Sequence, residues 1–273
     1  MKTPLRYPGG KSKVADMLCG LMPSFSKYRE PFLGGGSIFL KTKESNPDAN
    51  FWINDLYTDL YSFWSCMRDC PREVVDIILK WKSEYTEGKP LYAFLRESHT
   101  FDQIQTAAAF FVMNRITFSG TVSSGGYSNE SFEKRFTESS VERLIGLSSE
   151  LKDVKITNLD YSELLRAEGD DVFIFMDPPY YTATKSALYG PNGSLHRNFD
   201  HERFARTVKS CPHKWMITYD DCQYIRDLFR GYEITPFDIV YGMRNVTKGA
   251  VMHTNEIMIT NYALPDIKAT ELF

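Results

Sequence analysis

Val172-Phe173-Ile174-Phe175-Met176-Asp177-Pro178-Pro179-Tyr180 is the stretch whose reading decides the fold. Its first five residues are all apolar and follow Gly169-Asp170-Asp171. A short run with no polar face, rich in β-branched and aromatic residues, predicts a strand buried on both sides of a parallel sheet. Asp177 then stands at the carboxyl end of that strand, the edge where open α/β sheets bind ligands. Two prolines lack N–H groups and hold φ near one value, so the turn is stiff. A carboxylate, a bare carbonyl and an aromatic face in that order suit a planar nitrogen base, whose amino hydrogens need acceptors and whose ring needs a stacking surface. Alone, the segment fits a proline corner with a chance acid equally well, so the rest of the chain decides.

Working outward, the same pattern of apolar run followed by glycine or acid recurs. Tyr28-Arg29-Glu30-Pro31-Phe32-Leu33-Gly34-Gly35-Gly36-Ser37 reads as a strand, a glycine turn and a helix capped near Ser37. A dinucleotide fingerprint would need a glycine three residues after Gly36, where Phe39 stands. Phe51-Trp52-Ile53 ends at Asn54-Asp55, and an acid there is the usual partner of ribose hydroxyls. Together the two units suit an adenosine-bearing cofactor better than a dinucleotide. Val154-Lys155-Ile156-Thr157 leads to Asp160-Tyr161, and Trp215-Met216-Ile217-Thr218 leads to Tyr219-Asp220-Asp221. Two last strands, Glu233 to Val240 and Val251 to Tyr262, enclose a loop with Arg244 and Lys248. At the start, Arg6-Tyr7-Pro8-Gly9-Gly10-Lys11-Ser12-Lys13 precedes a helical pattern through Val14, Met17, Leu18 and Leu21. Such a glycine turn brings backbone N–H groups near a helix N-terminus that favours anions, with Lys11 beside it; a plain turn with a solvated lysine is the alternative.

Between residues 59 and 149 the pattern turns helical. Pro71 opens a helix through Val74, Ile77, Ile78 and Trp81, Ile104 to Met113 forms a second, and Ser139-x-x-Glu142 is a capping box ahead of Leu144, Ile145 and Leu151. Asn114-Arg115-Ile116-Thr117-Phe118-Ser119-Gly120 and the Ser/Gly-rich Thr121 to Ser128 read as a long polar loop. The expected organisation is therefore a Rossmann-like α/β domain of residues 1–58 and 150–273, interrupted by a helical insertion over 59–149.

Composition sets the outer bounds. With 42% hydrophobic and 25% charged residues among 273, the chain has the make-up of an ordinary globular protein, with no signal-like or membrane-spanning run. Five scattered cysteines without a C-x-x-C pair predict reduced thiols and a cytoplasmic setting, and five histidines without ligand spacing predict no metal. The net charge of −3 hides two basic stretches, residues 1–43 and Lys185 to Lys214, which could supply phosphate contacts.

Taken in order, Tyr-Pro-Gly-Gly-Lys, Pro-Phe-Leu-Gly-Gly-Gly-Ser, Asn-Asp, Asn-Arg-x-x-Phe and Asp-Pro-Pro-Tyr resemble the Dam-type, α-group DNA N6-adenine methyltransferases from Arg6 to Tyr262. The resemblance implies the Rossmann-like sheet of S-adenosylmethionine-dependent methyltransferases with a mostly helical inserted target-recognition domain. It implies S-adenosyl-L-methionine as cofactor: Tyr7 and Lys11 at its methionine end, Gly34 and Gly36 beneath it, Asp55 on the ribose, Asp160 and Tyr161 flanking the adenine, with Asp177 close by. Asp177, Pro178, Pro179 and Tyr180 take the catalytic positions. Members that read GATC usually have Tyr-Asn-Gly and a nearby arginine where this chain has Phe118-Ser119-Gly120 and Ser123. That departure leaves methyl transfer untouched and the target sequence open.

Residue chemistry agrees with the implied reaction. The adenine amine is a poor nucleophile because its lone pair is conjugated with the ring. Asp177 and the Pro178 carbonyl can each accept an N6 hydrogen, and the carboxylate can stabilise charge growing on nitrogen. N6 is out of reach inside a duplex, so the base must be flipped, with Tyr180 as stacking surface. Arg115, Phe118, Ser119 and Ser123 are the expected DNA readers, and Arg244 a phosphate contact. Double-stranded DNA is the expected partner, with a cognate restriction endonuclease as a further candidate and a monomer or weak dimer as the assembly, in a bacterial or phage setting. An RNA N6-adenine methyltransferase and a non-catalytic DNA-binding protein on a degenerate scaffold are the competing classes; every position where the chemistry needs a particular residue is filled, which counts against the second.

Overall fold

The computed structural model describes residues 2–7, 9–98, 100–122, 125–182, 198–240 and 253–265. Its centre is a seven-stranded sheet in the order β3-β2-β1-β4-β5-β7-β6, made of β1 (Lys27–Glu30), β2 (Asn50–Asn54), β3 (Lys155–Thr157), β4 (Val172–Met176), β5 (Lys214–Asp220), β6 (Glu233–Val240) and β7 (His253–Thr260). Every neighbouring pair from β3 to β5 is parallel, and β7 runs antiparallel between β5 and β6. This is the mostly parallel, Rossmann-like α/β sheet expected from the apolar runs. The strand order reverses between β1 and β4, so the carboxyl ends of β1, β2 and β4 frame a crevice.

The fully apolar β4 sits mid-sheet and is buried at all five positions. Its side chains alternate between two cores. Phe173 and Phe175 join one cluster, while Val172, Ile174 and Met176 join the other. β5 divides the same way, Met216 to one side and Trp215, Ile217 and Tyr219 to the other. Burying the five β4 side chains is worth on the order of 10 kcal/mol, an upper bound because the unfolded chain already hides part of that surface.

On one face lie α1 (Ala15–Gly20), α2 (Ser37–Ser45) and the helices between β2 and β3, namely α3 (Thr58–Asp69), α4 (Pro71–Glu84), α5 (Gly88–Glu97), α6 (Gln103–Ile116), α7 (Asn129–Arg135) and α8 (Glu138–Leu151). Leu60, Phe63, Val74, Phe111 and Leu144 of this segment share one continuous core with Phe173 and Met216 of the sheet. The other face carries α9 (Tyr161–Arg166), α10 (His201–Lys209) and α11 (Gln223–Leu228).

Three local expectations need correction. Ser37 is the first helical residue of α2; Gly36, with φ of 67°, holds the cap position without a side-chain bond. The cap of α8 is Thr137, whose hydroxyl accepts from the Ser140 N–H, so Ser139 falls inside the first turn and the Ser139–Glu142 box does not form. Helix α6 extends past Met113 to Ile116 and is buried from Ala107 onward. Asn114 and Arg115 are thus helical, because each finds partners inside the protein.

Candidate active site

The parallel register sets the centre of the site. Met176 of β4 pairs with Ile217 of β5, so the next residues, Asp177 and Thr218, fall side by side. Thr218 Oγ donates to Asp177 Oδ1 at 2.7 Å, and Lys11 Nζ donates to Asp177 Oδ2 at 2.9 Å. Both donors are buried, whereas the Asp177 side chain keeps 24% of its surface exposed. Lys11 reaches this place from a tight turn in which the Gly10 N–H donates to the Tyr7 carbonyl, and its Nζ also donates to the Gly9 carbonyl at 3.0 Å. The ammonium lies 5.0 Å from the Tyr180 ring centroid and 3.7 Å from the Glu256 carboxylate. Tyr180 OH donates to Glu256 Oε2 at 2.5 Å. Thr218, Glu256 and Lys11 therefore hold the acid and the aromatic ring from behind.

A second group gathers at the ends of β1 and β2. Gly34 has φ of 50°, and a Cβ there would lie 2.9 Å from the Tyr7 ring. Its N–H donates to Asp55 Oδ2 at 2.9 Å, while Asp55 Oδ1 accepts from the Tyr57 N–H at 3.0 Å. A Cβ on Gly36 would meet Trp64 at 2.7 Å, so only glycine passes between that indole and Leu33. Burial pushes the Asp55 carboxyl up to about 6, against the pull of the two N–H groups. Asn54 staples the strand ends: its amide donates to the Pro31 and Leu159 carbonyls, and its oxygen accepts from the Leu159 N–H and Thr157 hydroxyl. Asn158 Nδ2 donates to the Asp55 carbonyl at 2.7 Å. The neighbours Leu56 and Leu159 are left 52% and 40% exposed, an apolar pair on two joined loops.

Glu30, at the end of β1, links the two groups. It is buried and accepts from Tyr28 OH. Burial holds its carboxyl well above the ordinary carboxylate range, and the charges of Asp177 and Asp55 push the same way.

The remaining expected residues are placed unevenly. Asp160 caps α9 by accepting from the Ser162 N–H, and Arg203 donates to both its oxygens at 3.0 and 2.8 Å. Tyr161 is buried, its ring 5.5 Å from Phe32 and 5.4 Å from Phe204, so it packs in the core behind the crevice. Arg115 does not take up the expected DNA-facing place. It is 8% exposed, donates to the Pro4 carbonyl and lies 5.0 Å over the Phe111 ring. Burial, joined by Arg143, Arg6 and Arg135, lowers its guanidinium to about 10. Phe118 is 67% exposed on a short turn with Ser119 at φ 55°. Asn114 fastens that turn to the start of the chain: its amide donates to the Arg6 and Gly120 carbonyls, and its oxygen accepts from the Arg6 N–H. The exposed phenylalanine is thus anchored beside the Tyr7–Lys11 turn. Ser123 and Arg244 lie outside the described residues.

Sequence reasoning did not single out Thr218, Glu256, Asn54 or Glu30. Thr218, Glu256 and Asn54 act through contacts with residues distant in the chain, which no local spacing encodes, and Glu30 is marked by its burial rather than by its neighbours in sequence.

Comparison with known proteins points the same way. The family model described as D12 class N6 adenine-specific DNA methyltransferase matches residues 7–243. Type II methyltransferase M1.LlaDCHI of Lactococcus lactis subsp. cremoris is 24% identical over 94% of this chain and 94% of its own length. Type II methyltransferase M.CviBI of Paramecium bursaria Chlorella virus NC1A is 23% identical over 96% of this chain and 100% of its own. A DNA adenine methylase of Vibrio cholerae is 22% identical, with 89% of each chain covered.

Proposed function

The chain belongs to the D12 class N6 adenine-specific DNA methyltransferase family, and from that premise we propose that it transfers a methyl group from S-adenosyl-L-methionine to the N6 amine of one adenine turned out of double-stranded DNA. The observation that carries the proposal is Asp177 at the end of β4, held by Thr218 and Lys11 and followed by Pro178-Pro179-Tyr180.

The residues at the strand ends fit the cofactor. Asp55 offers a carboxylate whose elevated pKa reflects scarce stabilisation; hydroxyls donated by a ribose would supply more. Leu56 and Leu159, exposed on joined loops, would flank the adenine more directly than Tyr161, which is packed in the core. Asp160, fixed by Arg203, stiffens the loop that carries Leu159. Gly34 and Gly36 would let the backbone pass close beneath the cofactor, and Tyr7 and Lys11 would bound its methionine end. When bound, S-adenosyl-L-methionine supplies an electrophilic methyl group.

The protein's part is to raise the reactivity of the amine and to place it. Asp177 Oδ2 and the Pro178 carbonyl accept the two N6 hydrogens, which draws the nitrogen towards a tetrahedral arrangement. As positive charge grows on N6, the fixed carboxylate stabilises it without reorganising. Asp177 then takes the proton that the methylated nitrogen must lose. Tyr180 offers its ring as the stacking face for the displaced base, and holding base and methyl group in line removes much of the entropic barrier.

Phe118, exposed beside the active-site turn, is proposed to enter the DNA next to the displaced base, with Ser119 beside it in the chain; Ser123 keeps its proposed role as a DNA reader. Arg244 keeps its proposed role on phosphate, and the segment over 59–149 its proposed role in target recognition. Two relatives bear type II methyltransferase names, which keeps a cognate endonuclease within the proposal. Among the described residues no helix is long and apolar enough to cross a membrane, in keeping with an enzyme proposed to act on DNA in a bacterial or phage-infected cytoplasm.

The test is methyl transfer from labelled S-adenosyl-L-methionine to duplex DNA, followed by sequencing of modified adenines in DNA from cells expressing the protein. N6-methyladenine at one recurring sequence is the expected result. Label on cytosine, on RNA alone, or on no nucleic acid would overturn the reading.

A further inference from the structure

Asp220 and Glu256 stand opposite each other in the antiparallel pairing of β5 with β7, 8% and 1% exposed. Two carboxylates directly opposed on a sheet repel, and burial makes each costly unless donors surround it. Both draw their donors from the segment that follows Asp177. Asp220 Oδ1 accepts from the Tyr181 N–H at 2.9 Å and Oδ2 from the Thr182 N–H at 2.8 Å. Glu256 Oε2 accepts from the Tyr180 hydroxyl and lies 3.7 Å from Lys11 Nζ, which itself donates to Asp177.

We propose that Glu256, with Asp220 beside it, is a positioning residue for methyl transfer, anchoring the Tyr180 ring and sharing the Lys11 ammonium with Asp177. The inference rests on the reading that Asp177 and Tyr180 act on adenine. Its logic is electrostatic. Were Asp177 the sole carboxylate beside Lys11, the two would form a closed pair and Oδ2 would be a poor acceptor for an N6 hydrogen. A second, buried carboxylate divides the pull on the ammonium, so Asp177 keeps acceptor capacity while Lys11 stays in place. The same carboxylate anchors the far end of the Tyr180 side chain, and a ring tied at its hydroxyl presents one face. Asp220 ties down the backbone just beyond it, so ring and main chain are held from a single strand pair.

Three variants separate these effects. Glu256→Gln keeps an oxygen for the Tyr180 hydroxyl and removes the charge. Tyr180→Phe keeps the ring and removes the hydroxyl. Glu256→Ala removes both interactions. Single-turnover methylation is measured on duplex DNA with saturating S-adenosyl-L-methionine, beside the fluorescence of 2-aminopurine at the target position. Glu256→Ala should lose on the order of 10- to 100-fold in rate, the scale of a misplaced reacting group, with a changed 2-aminopurine signal and unchanged cofactor affinity. Glu256→Gln should slow transfer while leaving the 2-aminopurine signal near wild type, and Tyr180→Phe should change that signal and slow transfer as well, by less than Glu256→Ala. Wild-type rates in both Glu256 variants would overturn the inference. So would a loss in thermal stability and cofactor affinity that accounts for the whole loss in rate, since that marks a merely structural carboxylate. If the wild-type protein itself methylates no adenine, the functional reading fails first and the inference falls with it; an active wild type with indifferent variants sinks the inference alone.

Discussion

Asp55→Asn should make the protein more stable and a worse binder of S-adenosyl-L-methionine. The carboxyl is displaced from 3.8 to about 6 by burial, so at roughly 1.4 kcal/mol per pH unit its ionised form is destabilised in the folded protein by about 3 kcal/mol. Asparagine removes that charge. It also keeps an acceptor for only one of the Gly34 and Tyr57 N–H groups, which both now donate to the carboxylate, at a cost of about 1–2 kcal/mol. The net expectation near pH 7.5 is a gain on the order of 1 kcal/mol, or about 2–4 °C in Tm for a chain of this size. Because the folded-state pKa is raised, the penalty is absent below 3.8, grows between 3.8 and about 6, and is full above that. The stability advantage of the variant should therefore shrink as pH falls from 6.5 towards 4.5. Cofactor binding should move the other way. Losing a charge-assisted hydrogen bond to ribose costs about 1.5–3 kcal/mol, between about 10- and 150-fold in Kd. Wild-type affinity should also weaken as pH falls through about 6, whereas that of the variant stays flat. Differential scanning calorimetry and isothermal titration across this range make both measurements. Equal affinities at pH 7.5 would refute the ribose assignment, and a strongly destabilised variant at the same pH would refute the burial argument.

Asp177→Ala should abolish methyl transfer to duplex DNA while calorimetry still detects cofactor binding, because Asp55 and Gly34 stand beyond other strand ends and Tyr7 in the turn before α1. Phe118→Ala removes a 67% exposed ring and should change stability by less than about 0.5 kcal/mol. Methylome sequencing and filter binding should nevertheless reveal weaker DNA affinity or an altered target. Arg115→Ala should lower the urea midpoint by the equivalent of about 2 kcal/mol, since a buried charged donor to the Pro4 carbonyl is lost; an unchanged midpoint would return Arg115 to the protein surface.

Much of this architecture is legible in the chain because a parallel sheet buried on both faces writes itself as continuous apolar runs. β4 needed only Val172 to Met176, and the positions of Asp177 and Asp55 follow from standing just beyond such runs, whereas β1, Lys27-Tyr28-Arg29-Glu30, shows itself through the glycine turn that follows it. Helix ends were harder. Ser139 and Ser37 look like caps by residue type, but Thr137 and Gly36 hold those places because backbone geometry, not composition, selects among adjacent candidates. Arg115 misleads for a related reason. An arginine next to a polar run reads as surface, and its burial depends on the Pro4 carbonyl and the Phe111 ring being there to meet it.

What stays hidden in the sequence is the back of the site. Glu256 and Tyr180 are 76 positions apart and Thr218 and Asp177 are 41 apart. The second contact follows once β4 and β5 are known to be parallel neighbours, because register then places residues just past Met176 and Ile217 together. The first follows from nothing local. β7 must insert antiparallel between β5 and β6, and its register must set Glu256 against Asp220 rather than one residue away. A one-residue slip would turn Glu256 to the opposite face of the sheet. A carboxylate in the middle of Asn255-Glu256-Ile257-Met258 thus reads, in sequence, like a polar interruption of a strand. In the fold it lies against the hydroxyl of the tyrosine that ends Asp-Pro-Pro-Tyr. The antiparallel strand that breaks the otherwise parallel order of β1 to β5 is, on this view, what carries a second buried carboxylate to the reacting edge.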